Sequence, residues 1–157
     1  MIREEFEIKL VEEAKAWIGT PFLHNGRSRS QGVDCMGLIY VIYKNLGFDV
    51  PDGDGQSYSF DWFHHTPESR YMAGLLKLGK SVEKNDIRIG DILMFRPGLI
   101  APSRNNKITH GGVCVGNNEM IHARNGAPVE ITKLSYKAWD ITFAGAIRLH
   151  IVADMPM

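Results

Sequence analysis

Residues 109–122 read THGGVCVGNNEMIH, two short apolar runs either side of Gly116-Asn117-Asn118. The Gly-Asn-Asn triplet is hairpin chemistry, because glycine and asparagine tolerate the positive φ that tight β-turns need. Side chains alternate along a strand, so His110, Gly112 and Cys114 share one face. A three-residue loop over 116–118 pairs Val115 with Glu119 and Gly112 with His122. His122 then joins the face of His110, diagonally across the ladder at about 7–8 Å. A two-residue loop would put the two imidazoles on opposite faces. On the three-residue register, one imidazole can act on a proton while the second orients the first.

The surrounding residues predict the rest of a sheet. ILMF (92–95) follows the Gly90-Asp91 turn and reads as a buried strand, THGGVCVG as the next, EMIHAR as the third, VEITKL as the fourth and AGAIRLHIV as the fifth. The N-terminal half reads as helices. Phe6, Leu10, Ala14 and Trp17 recur at helical spacing over about residues 3–18, and Gly19 and Pro21 stop that helix. A second helix runs from Cys35 or just before it to Leu46, with Asp34 as N-cap and Gly47 after its end. A loop, FLHNGRSRSQGVD, precedes it, and a third helix is expected over about residues 67–78. Helices first and an antiparallel meander afterwards imply an α+β domain, helices packed on a small curved sheet of about five strands. The 157 residues suit one domain spanning 1–157.

Within QGVDCMGLIY (31–40) an acid, a cysteine and a glycine meet at a helix start. A helix N-terminus favours negative charge and the thiolate is the reactive form of cysteine, so Cys35 is the candidate nucleophile. Of the six histidines, His64 and His65 read as exposed loop residues and His150 as lying near the C-terminal edge. His110 and His122 remain as base and orienting group. Zinc is a competing use of Cys35, His110, Cys114 and His122. Cys114, however, stands roughly 13 Å along the strand from His110 at about 3.3 Å per residue, too far for two ligands of one ion, and no CxxC or HExxH spacing occurs. Cys114 reads instead as a core residue, and no metal or organic cofactor is expected.

Lys and Arg total 18 and Asp and Glu total 18, for a formal net charge of zero, which offers no general attraction for nucleic acid or anionic membrane. The charged first seventeen residues lack the apolar core of a signal peptide, and no apolar run is of membrane-spanning length. Synthesis in the cytoplasm without an N-terminal signal is therefore the expectation. Two cysteines are too few for a disulfide framework.

Five segments in order, GTPFLHNG, VDCMGLIYVIYKNLG, IGDILMF, ITHGGVCVG and MIHA, resemble the NlpC-type family of papain-like cysteine peptidases, enzymes that cut amide bonds in cell-wall peptides. The resemblance implies a minimal papain-like fold with Cys35 as nucleophile, His110 as base and His122 as the third polar group. It places Asp34, Met36, Phe22, His24 and Gly111 at the substrate, Asp34 against its amine. It has Gly37 let the helix start close to the substrate, and the Cys35 N–H serve as an oxyanion donor. Two departures stand out. Met36 replaces the serine common after the cysteine, and Phe22 replaces the common tyrosine, so specificity for a γ-D-glutamyl bond is not implied; His24 is a candidate replacement for the missing polar group. Members of phage tails and gene-transfer particles are similar in these respects, which makes a phage-tail or other cell-surface assembly the implied partner and carrier to the wall. The alternatives are a catalytically silent structural or binding component on the same fold, and an amidase or acyltransferase acting on a non-wall amide. The long connection RPGLIAPSRNNKI (96–108) is expected to act as a lid.

Overall fold

A computed structural model of the chain describes residues 1–52, 74–97 and 108–157. Helix α1, Arg3–Lys15, buries Phe6, Leu10 and Ala14, and Trp17 continues that face beyond its end. No side chain caps its start; the Arg3 N–H instead reaches Pro156 O at 2.9 Å, tying the first helix to the C-terminus. Gly19 follows at φ +88°, a turn that a Cβ would strain.

The stretch expected to be loop contains a two-stranded ribbon, β1 Arg27–Ser28 and β2 Gly32–Val33, paired antiparallel. Such short strands leave almost no periodicity to read. Helix α2, Cys35–Asn45, follows at once. Leu38, Ile39, Val41, Ile42 and Tyr43 are all buried, which makes α2 the central helix. The Tyr43 hydroxyl donates to Gly90 O, and Gly47 at φ +92° turns the chain away.

The sheet has six strands rather than about five: β3 Gly79–Val82, β4 Ile92–Phe95, β5 His110–Gly116, β6 Glu119–His122, β7 Glu130–Lys133 and β8 Phe143–Leu149. Their order is β3-β8-β4-β5-β6-β7, antiparallel throughout. The unexpected strand, β3, is a polar GKSV segment recruited by backbone pairing with β8. A 3₁₀ turn, Lys84–Asp86, lies between β3 and β4. Helix α3, Lys137–Thr142, precedes β8, and a short helix α4, His150–Ala153, takes residues expected to extend that strand. His150 is thus helical. Residues 74–76 are helical and 77–78 form a turn; residues 67–73 of the expected 67–78 helix, His64 and His65, and most of the expected lid lie outside the described residues.

The two sheet faces bury different things. Ile92, Val113, Val115 and Ile121 pack on α1 and α2, whereas Leu93, Phe95, Cys114, Met120 and Ala146 face the other way, against Trp139, Leu134 and Phe143. Just ahead of β4, buried Asp91 accepts from Arg148 Nε at 2.9 Å and Nη2 at 2.8 Å, and from the Arg88 N–H at 2.8 Å. That bidentate pair satisfies a carboxylate the core could not otherwise hold. No helix among the described residues is long and apolar enough to cross a membrane.

Candidate active site

The hairpin reaches the register expected of it by a different route. Asn117 and Asn118, at φ 55° and 57°, form a two-residue turn in which both central residues have positive φ, and Gly116 faces Glu119. That turn alone would separate the histidines. The ladder slips between Cys114 and Gly116, however, and the bulge restores Cys114 opposite Met120 and Gly112 opposite His122. Gly112 has to be glycine: a Cβ there would stand 2.8 Å from the Met120 sulfur and 2.9 Å from Ile121 O.

The rings then meet. His110 Nε2 lies 2.8 Å from His122 Nδ1, with ring centroids 5.0 Å apart and nearly perpendicular. Trp139 from α3, which the sequence reading did not single out, closes the pair. It stacks on His110 at 5.4 Å and 23°, meets His122 edge-on at 4.9 Å, and is itself held by Nε1 donating to Thr132 Oγ1 at 3.3 Å. His122 is completely buried. Burial, the largest influence, drives it down from 6.5 to about 4 against the pull of Glu130, so at neutral pH it is an uncharged imidazole. Its Nε2 is buried without a well-formed hydrogen bond; Glu130 Oε1 sits 3.4 Å away.

Cys35 approaches from the opposite side of the sheet. Asp34 caps α2 by accepting from the Gly37 N–H at 2.8 Å, its second oxygen accepts from Asn25 N at 2.8 Å, and Arg27 Nη1 bridges to it at 3.0 Å. Arg27 also donates to Gly26 O at 2.7 Å and grips Asp52 through Nε and Nη2. Asp34 is only 4% exposed. Gly37 makes room for this cluster, since a Cβ would fall 2.3 Å from Arg27 Nη1 and 2.6 Å from Gly26 O. Its need for a bare α-carbon therefore comes from the loop folded over it.

The sulfur's hydrogen-bond partner is Thr109 O at 4.0 Å, the carbonyl immediately before His110. Only a protonated thiol can donate there. Burial pushes Cys35 up to about 12, with the Asp34 carboxylate adding to it and the Gly111 and Met36 N–H groups and Arg27 opposing. Desolvation here outweighs the pull of the helix terminus toward negative charge. The structure brings His110 and His122 into contact, and brings Cys35 to the carbonyl immediately before His110.

Gly111 is buried beside the sulfur. Met36 is half-buried and lines a cavity of about 40 Å³ with Ile39, Tyr40, Val50 and Leu75. Phe22 packs against the main core and bridges to Val33. His24 is half-buried in the loop ahead of the ribbon. Cys114 is a core residue among Leu93, Phe95 and Met120. Among the described residues no three His, Cys, Asp or Glu side chains converge as metal ligands would. Arg27 and Glu130 went unread in the sequence. For Glu130 a signal existed: it stands directly opposite His122 across β6 and β7.

The family model for the NlpC/P60 family matches residues 19–148. Among characterised relatives, the chain is 28% identical over 134 residues to a probable endopeptidase NlpC homolog of Haemophilus influenzae, a match covering 85% of this chain and 57% of that protein. It is 29% identical to murein DD-endopeptidase MepH of Escherichia coli, over 84% of this chain and 42% of the relative, and 27% identical to gamma-DL-glutamyl hydrolase of Bacillus subtilis, over 90% and 29%. The chain thus matches little more than half of the first of these proteins and less than half of the other two. A crystal structure of an NlpC/P60 family protein from Bacillus cereus superposes with TM-score 0.67 at 25% identity, covering 91% of this chain and 40% of that one. RipD of Mycobacterium tuberculosis, described as a non-catalytic NlpC/p60 domain protein adapted to peptidoglycan binding, shares the fold at TM-score 0.56 and 17% identity, over 90% of this chain and 95% of that one. Helices leading into a curved antiparallel sheet, in the arrangement those structures share, agree with the match along the sequence: this chain belongs to the NlpC/P60 family.

Proposed function

We propose that the chain is a cysteine hydrolase that cleaves an amide bond in peptidoglycan peptides, with Cys35 as nucleophile, His110 as general base and acid, and His122 as the group that orients it. The observation that carries this reading is the 2.8 Å contact between His110 Nε2 and His122 Nδ1 at the strand end against which the Cys35 sulfur rests. The wall-hydrolase names of the relatives support the substrate class. In the reaction, His110 takes the thiol proton as sulfur attacks the scissile carbonyl. The C–N bond then breaks as His110 gives that proton to the leaving amine, and water releases the acyl group as a carboxylate and restores the thiol. The proposal includes delivery to the wall by release or by a larger assembly, a phage tail among them.

One observation favours a second reading, that of a wall-binding module without turnover. Arg27 and two backbone N–H groups occupy the carboxylate of Asp34. Mass spectrometry of peptidoglycan fragments incubated with wild type and C35A decides between them. Cleavage by wild type alone is expected, and the fragment masses name the bond. Fragments bound but left intact by both proteins would establish the binding module.

A further inference from the structure

His122 has two ring nitrogens and one proton to place. Its Nδ1 is engaged by His110 Nε2 at 2.8 Å; its Nε2 is buried, and the polar atom near it among the described residues is Glu130 Oε1 at 3.4 Å. Two arrangements satisfy the inner contact. If His122 carries its proton on Nδ1, it donates to His110, and its Nε2 lone pair then faces a carboxylate oxygen in a water-excluded place. Two acceptors would oppose each other there. If the proton sits on Nε2, it points toward the carboxylate, Nδ1 accepts from His110 Nε2–H, and every group meets its complement.

Glu130 is well placed for this task. It faces His122 in the ladder register, and Arg124 Nε fixes the same oxygen at 3.2 Å. Trp139 and the surrounding core keep solvent from supplying a substitute partner. A neutral His110 protonated at Nε2 has its basic lone pair at Nδ1. The identity of the nitrogen that acts as base is thus decided two residues away from the reacting sulfur.

We infer that Glu130 is a positioning residue: its carboxylate sets the proton of His122 on Nε2 and, through the inner hydrogen bond, makes Nδ1 the basic nitrogen of His110. The kinetic part of this rests on the hydrolase reading above; the placement of the proton does not.

The experiment uses the full chain labelled with ¹⁵N-histidine, as wild type, E130Q and E130L, with His122 assigned through H122N. Two-bond ¹H–¹⁵N correlations at neutral pH read the tautomer directly. Wild-type His122 is expected to be protonated on Nε2. E130Q keeps an oxygen that can accept that proton and retains the tautomer, whereas E130L shifts His122 toward the Nδ1 form. Glu130 is 41% exposed, so both variants are expected to fold, and native amide dispersion checks this. On wall fragments, kcat of E130L falls about tenfold with KM little changed, the range found for partners that orient a ring from behind. A proton on Nδ1 in the wild type, an unchanged His122 in E130L, or an altered tautomer with full turnover each overturns the inference. If wild type cleaves no fragment, the hydrolase reading falls, and the tautomer measurement still decides this one.

Discussion

The two halves of the site bury polar groups by opposite means. Around Asp34 the carboxylate is surrounded by donors: the Gly37 and Asn25 N–H groups and the Arg27 guanidinium. Around His122 there is, among the described residues, one polar neighbour for each nitrogen and otherwise aromatic and aliphatic surface. The first arrangement holds the helix start and the preceding loop together, largely through backbone groups. The second fixes no backbone; it fixes protons. Damage to the first half is expected to appear in stability, and damage to the second in chemistry.

H110A is the most severe way to test that division. It removes the proposed proton carrier while leaving β5 paired on both sides, so turnover should fall by on the order of 10²–10⁴-fold with an unchanged urea midpoint. A lowered midpoint would mean that the histidine half also holds up the fold. D34A should do the reverse. It leaves two N–H groups and Arg27 without their acceptor in a buried place, at a cost of about 1–3 kcal/mol, read from urea unfolding. Loss of turnover in D34A without loss of stability would move Asp34 into the chemistry.

The effect expected from pH is a gradient rather than a single loss. His122 is depressed from 6.5 to about 4 in the folded protein, so the unfolded chain binds its proton first on acidification. Its stabilising contribution is complete above pH 6.5 and is lost as pH falls through about 4. Thermal melts between pH 7 and 4 should therefore fall more steeply for wild type than for H122N, whose amide does not titrate. Parallel slopes would show that His122 remains accessible to protons in the folded state.

Much of this was legible in the sequence, where a periodic signal existed. Helix α2, its Asp34 cap and the strands carrying His110 and His122 announce themselves through apolar spacing and turn residues. The ribbon Arg27–Ser28 with Gly32–Val33 and the polar strand Gly79–Val82 do not, since two to four residues of mixed polarity carry no period. Arg27 and Trp139 act through contacts between distant segments, 25 residues to Asp52 in one case and α3 against β5 and β6 in the other. The desolvation of Cys35 was illegible for a different reason. A helix N-terminus is visible in sequence, whereas the desolvation that opposes it depends on what is folded above the sulfur.

The bulge at Val115–Gly116 also bears on how the hairpin can change length. Between Gly112 and His122 three residues are left out of the ladder, Val115 from the strand and Asn117 and Asn118 from the turn. The chemistry depends on which residue faces Gly112, and it is indifferent to how the unpaired residues are divided between edge and tip. The tip is therefore a splice point: residues added between Asn117 and Asn118 lengthen the loop while the rungs below it stay in phase, and the histidines remain paired at the far end of the ladder.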